Sequence, residues 1–296
     1  MSPPCQPYTR VGLQQGSQDA RSRSFLYLLD VLKQMVHRPK YILVENVKGF
    51  EESDSRDMLV ETLEDCGYIF QEFLLTPLQL GIPNSRMRYY LLAKREPSSF
   101  AYPPTGTILG FIPGSEKMSN EFIDNRNSTL KNEDQLINAS TSAVNVAQLS
   151  EYLDPTEQNL DAYLVPDKVL FKHGHVFDIV KPNMRRSCCF TKGYYHYAEA
   201  TGSILQMNEE LDTEDIFSRA SAKKEQGDEE GTLELLRSLR LRYFTPREVA
   251  NLMGFPSTFS FPETSTLKQK YRTLGNSINV QLVAELMKYL VKHKQE

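Results

Sequence analysis

The run "YILVEN" (Tyr41–Asn46) constrains the fold of this chain more than any other stretch. Four apolar or aromatic residues stand in an unbroken row and give way at once to an acid and an amide. A half-exposed strand alternates apolar and polar positions; this one does not, so it reads as buried on both faces of a parallel sheet, with helices covering either side. The flanks supply such helices. Upstream, Phe25, Leu28, Leu29, Leu32 and Val36 recur at helical spacing between Ser24 and His37, which predicts an amphipathic helix. Downstream, Asp54–Cys66 predicts a second, with Gly67 as its stop. Strand-like runs follow at Tyr68–Leu75 and Arg88–Lys94. This alternation of helix and strand predicts an α/β sheet.

Beyond Glu96 the periodicity fades. Ser, Thr, Asn, Pro and Gly accumulate around "NRNSTLKNEDQLINASTSA", so residues 96–151 read as a polar insertion or linker. Residues 152–240 regain aromatics and turn signals, as in a small second domain, and end in an acidic loop. In "TPREVANLMGFP", Thr245 is placed as N-cap, Pro246 as first helical residue, Glu248 as the capping-box partner and Gly254 as terminator. "GNSINVQLVAELMKYLVKH" predicts a last helix with Val280, Val283, Met287 and Leu290 on one face. The expected organisation is therefore 1–95 as one half of a sheet domain, 96–151 as insertion, 152–240 as second domain, and 241–296 returning to the first.

The net charge of −4 hides an asymmetry that bears on partners. Residues 205–235 hold ten acids against three bases, leaving about +3 for the rest, and residues 165–200 hold six Lys or Arg against three acids. A basic patch is thus available for a polyanion. No apolar run approaches the roughly 18 residues of a membrane span, and no leader-like segment opens the chain. Cys5, Cys66, Cys188 and Cys189 form neither a disulfide framework nor a metal pattern. Reduced thiols, no metal, and a cytosolic or nuclear location are expected.

Three places carry chemistry-bearing residues. Cys5, in "PPCQP", has prolines before it and after Gln6, which hold the thiol on a stiff loop. It reads either as a nucleophile or as a small buried apolar group. Glu45 and Asn46 end a predicted strand, where open α/β sheets bind ligands, although a solvated acid at a strand end has the same appearance. Arg86 and Arg88 stand two apart as a strand begins, so both are expected on one face. They read as a clamp for an anion or base carbonyl, or as solvated charges.

Taken in order, PPCQ, ENV, RxR at a strand start, REVANLMGFP and GNS resemble the cytosine carbon-5 methyltransferases. The resemblance implies a Rossmann-like class I S-adenosylmethionine-dependent fold, lacking its first strands, with a small target-recognition domain. "RRSCCFTKGY", with its contiguous "CFT", resembles the eukaryotic branch that methylates a cytosine in the anticodon loop of aspartate tRNA. It implies that Cys5 adds to cytosine carbon 6, that Glu45 acts at ring nitrogen 3, and that Arg88 with Arg86 holds the exocyclic oxygen. Gln6, Asn46, Cys189, Phe190, Thr191 and Lys192 would position the substrate. Asn276 and Ser277 would contact the methionine end of S-adenosylmethionine or pack against the missing cofactor loop. Lys181, Arg185, Arg186 and Lys192 would meet the RNA backbone while Tyr194, Tyr195 and Tyr197 stack on bases. The family usually has Gln where this chain has Asn84. Its Gly-rich cofactor loop and acidic residue would precede PPCQ and are missing, so an amino-terminally shortened form is expected. A non-catalytic RNA-binding isoform and a DNA-directed enzyme are the alternative expectations.

Overall fold

The computed structural model describes residues 1–4, 8, 16–118, 145–197 and 199–292. It divides into two units: residues 1–80, 86–144 and 282–296, and residues 81–85 and 145–281.

The first unit is built on a four-stranded sheet of β1 (Tyr41–Val47), β2 (Tyr68–Leu75), β3 (Arg88–Arg95) and β4 (Ile108–Leu109), in the order β1-β3-β2-β4. The expected strands form within a residue of their sequence bounds. Their pairing differs from a purely parallel sheet: β3 returns antiparallel and lies between β1 and β2, matching Glu45 with Tyr90, Val47 with Arg88, and Leu75 with Arg88. Strands β1 and β2 are therefore parallel to each other only across an intervening antiparallel strand. Helices α1 (Arg23–Gln34) and α2 (Asp54–Asp65) bury Phe25, Leu29, Leu32, Leu59 and Leu63 with Val44, Phe50, Tyr89 and Leu91 of the sheet side. Each such side chain contributes about 1.5–3 kcal/mol by leaving water.

Helix α1 stops three residues before the expected His37. Arg38 donates from Nε to the Leu32 carbonyl (3.0 Å) and from Nη2 to that of Lys33 (2.8 Å), and Pro39 follows. These contacts satisfy the last turn and leave Val36 exposed. Helix α2 is tied to the sheet by a buried polar contact: Arg56 donates from Nε to Glu72 Oε1 (2.8 Å), which also accepts from Tyr89 Oη (2.6 Å). Burial, with the Glu72 carboxylate alongside, raises the Tyr89 hydroxyl well above its ordinary pKa. The expected insertion is partly structural. Residues 119–144 lie outside the described part, but β4 pairs parallel with β2, and buried Gln71 pins the approach by donating to Thr107 O (2.8 Å) and accepting from Thr105 N (3.0 Å).

The second unit carries a three-stranded sheet, β5 (Asp178–Val180), β6 (Ser203–Gln206) and β7 (Leu241–Tyr243), with α3 (Asp167–His173) before it. The expected acidic loop is instead two helices, α4 (Thr213–Glu225) and α5 (Glu229–Ser238). The reason lies in where the acids fall. Asp212 and Asp228 are N-caps, accepting from Asp215 N and Gly231 N at 2.8 Å each, and Glu214, Asp215, Glu229 and Glu230 occupy first turns, where the helix dipole favours negative charge. Helix α6 (Pro246–Leu252) starts as expected, with the Thr245–Glu248 capping box, and Gly254 follows it at φ +73°. Glu248 also accepts both Nη atoms of Arg242 at 2.8 Å, each residue's side chain being 1% exposed. Helix α7 (Leu267–Gly275) precedes α8 (Val280–Val291), which from Leu282 belongs to the first unit. The buried face of α8 is Leu282, Val283, Leu286, Tyr289 and Leu290; Met287, expected among them, is exposed. The fully buried Lys94 of β3 donates from Nζ to Lys292 O just past this helix (2.7 Å) and to Ser99 O (2.9 Å), and burial lowers its pKa.

Two substitutions test these anchors. Lys94→Met leaves two carbonyls without their donor and is expected to cost about 1–3 kcal/mol in urea unfolding. Glu248→Ala strands a buried guanidinium and is expected to cost about 3–5 kcal/mol, whereas the double change Arg242→Met with Glu248→Leu recovers most of that loss.

Candidate active site

At the carboxyl end of β1, Glu45 and Asn46 point to opposite faces of the sheet. The register places Val47, Arg88 and Tyr90 on the face of Glu45. Arg88 Nε lies 3.5 Å from Glu45 Oε1, and Arg88 Nη1 donates to Met87 O at 2.7 Å. Arg86 is buried just before the strand. The Tyr90 hydroxyl is raised above its ordinary pKa first by burial, then by the Glu45 carboxylate, while the Arg86 and Arg88 guanidiniums act in the opposite direction. These four groups thus share one electrostatic environment. Sequence reading missed Tyr90, which the two-residue strand period after Arg88 would have placed on the same face.

The opening residues also reach this site. Met1 pairs with the edge of β1, its ammonium donating to Leu43 O (2.5 Å) and its carbonyl accepting from Glu45 N (2.9 Å). Ser2 Oγ donates to Glu45 Oε2 at 2.5 Å. Burial lowers the pKa of the Met1 ammonium, partly offset by Glu45. On the opposite face, buried Asn46 accepts from Val47 N through Oδ1 (2.8 Å), and its Nδ2 has no hydrogen-bond partner among the described residues. Cys5 and Gln6 lie outside the described residues.

A carboxyl and a guanidinium side by side present an acid and a set of fixed N–H donors to one ligand edge. That is the equipment for binding a ring nitrogen next to a carbonyl oxygen. An open cavity of about 270 Å³ lies along Met1–Pro4, bordered by Ser24, Phe25 and Leu28. The described lining does not by itself complete a site for S-adenosylmethionine. Its side chains offer two serine hydroxyls among apolar groups, and no carboxylate for ribose hydroxyls. Among the described residues, no group of three or more His, Cys, Asp or Glu could hold a metal ion, and no helix is long and apolar enough to cross a membrane.

In the second unit, Cys189, Phe190, Thr191 and Lys192 form a non-helical segment over an aromatic cluster. Phe190 packs edge-on against Tyr194 (4.9 Å) and Phe244 (5.3 Å). Thr191 N donates to Thr201 O at 2.8 Å, and Cys189 Sγ is 3.8 Å from Phe190 O. Lys192 is exposed. Gly275 approaches this segment so closely that a Cβ there would collide with Lys192 N and Thr191 C. Asn276 caps α7 and is exposed, while Ser277 Oγ lies 3.4 Å from Ile278 O and 3.8 Å from Met253 Sδ. The structure therefore brings the GNS turn together with Thr191–Lys192. Asn84 supports the preceding residues, donating from Nδ2 to Ser187 Oγ (3.1 Å) and Cys188 O (3.0 Å).

Several expected RNA contacts are engaged internally. Tyr194 is buried, donating to Ser203 O (2.7 Å) and accepting from Phe244 N (2.9 Å), so its ring is unavailable for stacking. Lys181 donates to Leu211 O (2.9 Å), Arg185 to Val146 O, and Arg186 pairs with Asp178 at 2.7 Å. Tyr195 and Tyr197 remain exposed. Burial, with the Asp178 carboxylate beside it, pushes the Cys188 thiol up to about 12.

The family described as C-5 cytosine-specific DNA methylase matches residues 1–292. The tRNA (cytosine(38)-C(5))-methyltransferase of Bos taurus is 43% identical over 98% of this chain and 81% of its own length, and that of Homo sapiens 42% over 98% and 81%. The crystal structure of a mutant DNMT2 from Spodoptera frugiperda superposes with a TM-score of 0.74 at 37% identity, covering 99% of this chain and 78% of that one. That of S. pombe Dnmt2 methyltransferase superposes with 0.70 at 37% identity, covering 98% and 76%. With Glu45 and Arg88 on one face at the end of β1, and with these matches over nearly its whole length, the chain belongs to the C-5 cytosine methyltransferase family and has the class I methyltransferase fold.

Proposed function

We propose that this protein methylates carbon 5 of cytosine 38 in the anticodon loop of a tRNA, aspartate tRNA above all, and that S-adenosylmethionine is the donor. The observation that carries the reading is the Glu45–Arg88 pair. Cytosine presents ring nitrogen 3 beside its carbonyl oxygen 2, an edge that suits a carboxyl and a guanidinium 3.5 Å apart. The tRNA assignment draws on the relatives named for cytosine 38 and on the "CFT" segment.

The residues then take separate roles. Cytosine carbon 5 is a weak nucleophile until a thiolate adds to carbon 6, and Cys5 supplies that thiolate. Glu45 donates a proton or hydrogen bond to nitrogen 3 as Cys5 adds. Arg88, supported by Arg86, stabilises charge developing on oxygen 2, where fixed donors act without reorganising. Asn46 has a buried, unpartnered Nδ2 among the described residues and lies beside Glu45 on the chain, which suits it to a positioning role. An unpaired anticodon-loop base reaches such a pocket at little unstacking cost. Such a substrate is met in the cytosol or nucleus. Cys188 is no rival nucleophile, because its raised pKa keeps the thiol protonated.

Three measurements follow. A tRNA bearing 5-fluorocytosine at the target is expected to form a Cys5-dependent covalent adduct on denaturing gels, lost in Cys5→Ala. Retained RNA affinity with no adduct in the parent chain would overturn the catalytic reading in favour of RNA binding alone. Glu45→Gln is expected to lower kcat/KM for tRNA methylation by about 10²–10⁴-fold without changing the unfolding midpoint by more than a few degrees. Peptide mass spectrometry after iodoacetamide at pH 8 is expected to find Cys188 unmodified in the folded protein and modified in urea, since its thiolate emerges only as pH nears about 12.

A further inference from the structure

A cavity in the second unit measures about 900 Å³, within the size range of ligand pockets. His173, His175, His196, Tyr195, Tyr197 and Glu199 line it beside apolar groups of Pro166, Val169 and Val176. It draws on α3 and on the turn after Lys192, and contains none of the residues assigned to cytosine chemistry.

Two features suggest a site prepared for a flat ligand. Tyr195 holds a left-handed backbone (φ +70°), a conformation that costs a non-glycine residue energy and persists only where its surroundings enforce it. Its ring stacks on Tyr271 (5.4 Å, 24°) and meets Tyr243 edge-on (4.9 Å), yet is 37% exposed. Tyr197 is anchored through its backbone, with N donating to Gly193 O (2.9 Å) and O accepting from Thr201 Oγ1 (2.9 Å), while its ring is 65% exposed. A hydrogen-bonded backbone beneath a solvated ring is the arrangement of a stacking platform.

The polar lining selects among flat ligands. Histidine rings donate N–H in either charge state and so suit phosphate or ribose oxygens. Lys168 and Lys172, exposed on α3, add positive charge near His173. Glu199 contributes an acceptor for an exocyclic amine.

We propose that this cavity is a second nucleobase subsite. An unpaired base other than the methylated cytosine, carrying an exocyclic amine, stacks on Tyr197 and Tyr195, with its ribose-phosphate toward His173 and His175. The inference rests on the RNA reading above and adds where a neighbouring loop base is held.

The test places 2-aminopurine, one position at a time, at each unpaired loop base of an anticodon stem-loop RNA. The full chain is titrated in, reading fluorescence quenching and, separately, overall affinity by anisotropy. One position other than the target is expected to quench on binding. In Tyr197→Ala that quench disappears and affinity falls about 5- to 150-fold, the range for losing one base–aromatic stack, whereas Tyr197→Trp restores both. The thermal midpoint of either variant is expected to match the parent, because the ring is largely exposed. Unchanged affinity and quenching in Tyr197→Ala would overturn the subsite while leaving RNA recognition standing. Failure of the parent chain to bind the RNA at all would overturn both.

Discussion

The backbone ladder that holds β3 between β1 and β2 is the constraint on which the rest of the first unit depends. Side chains along a strand alternate, so the register of one ladder decides which groups share a face. The pairing of Val47 with Arg88 and Glu45 with Tyr90 puts an acid, a guanidinium and a buried phenol on one side. A slip of one residue would carry Arg88 to the face of Asn46 and leave Glu45 opposite the wrong partner. The apolar cluster formed by α1, α2 and the sheet, together with the Arg56–Glu72–Tyr89 contact, makes such a slip costly.

Much of this was legible in the residues. The strand at Tyr41, the helix stops at Gly67 and Gly254, and the capping box at Thr245 are local signals that survive into the structure, although the strand lies at the sheet edge with Tyr41, Leu43 and Val47 only half-buried rather than covered on both faces. What escaped was non-local. Nothing within Arg88–Arg95 says that it will return antiparallel and insert between two strands, and nothing near Ile108 says that it will pair with β2. The acids of residues 205–235 suggested a loop because charge density was read without position; read as N-caps and first-turn residues, the same acids specify helices. In α8, two apolar faces compete within one sequence, and only packing chooses Leu286 over Met287.

For the candidate site, proximity is what the structure adds to the sequence. Glu45, Arg86 and Arg88 were identifiable from strand ends and two-residue spacing, and the structure brings them into one electrostatic neighbourhood. Ser2 and Tyr90 were not, because Tyr90 reaches Glu45 through pairing across the sheet and Ser2 through a contact 43 residues away in sequence. In the second unit the basic stretch looked like a single face in sequence, yet Lys181, Arg185 and Arg186 are used to hold the unit's own loops. What remains for a polyanion is narrower, chiefly Lys192 and the exposed lysines of α3.

The close approach of Gly275 to Thr191 and Lys192 has a consequence for how such a chain tolerates change. Two stretches far apart in sequence behave there as one piece, since any side chain at 275 would have to push the other backbone aside. Everything threaded between them, including the hairpin of α4 and α5, is topologically a long excursion with its ends pinned. The exposed positions of α4 and α5 can vary in charge without touching the pinned segment, whereas the buried Arg242–Glu248 pair on the same excursion cannot, and a Cβ at 275 would force backbone to shift.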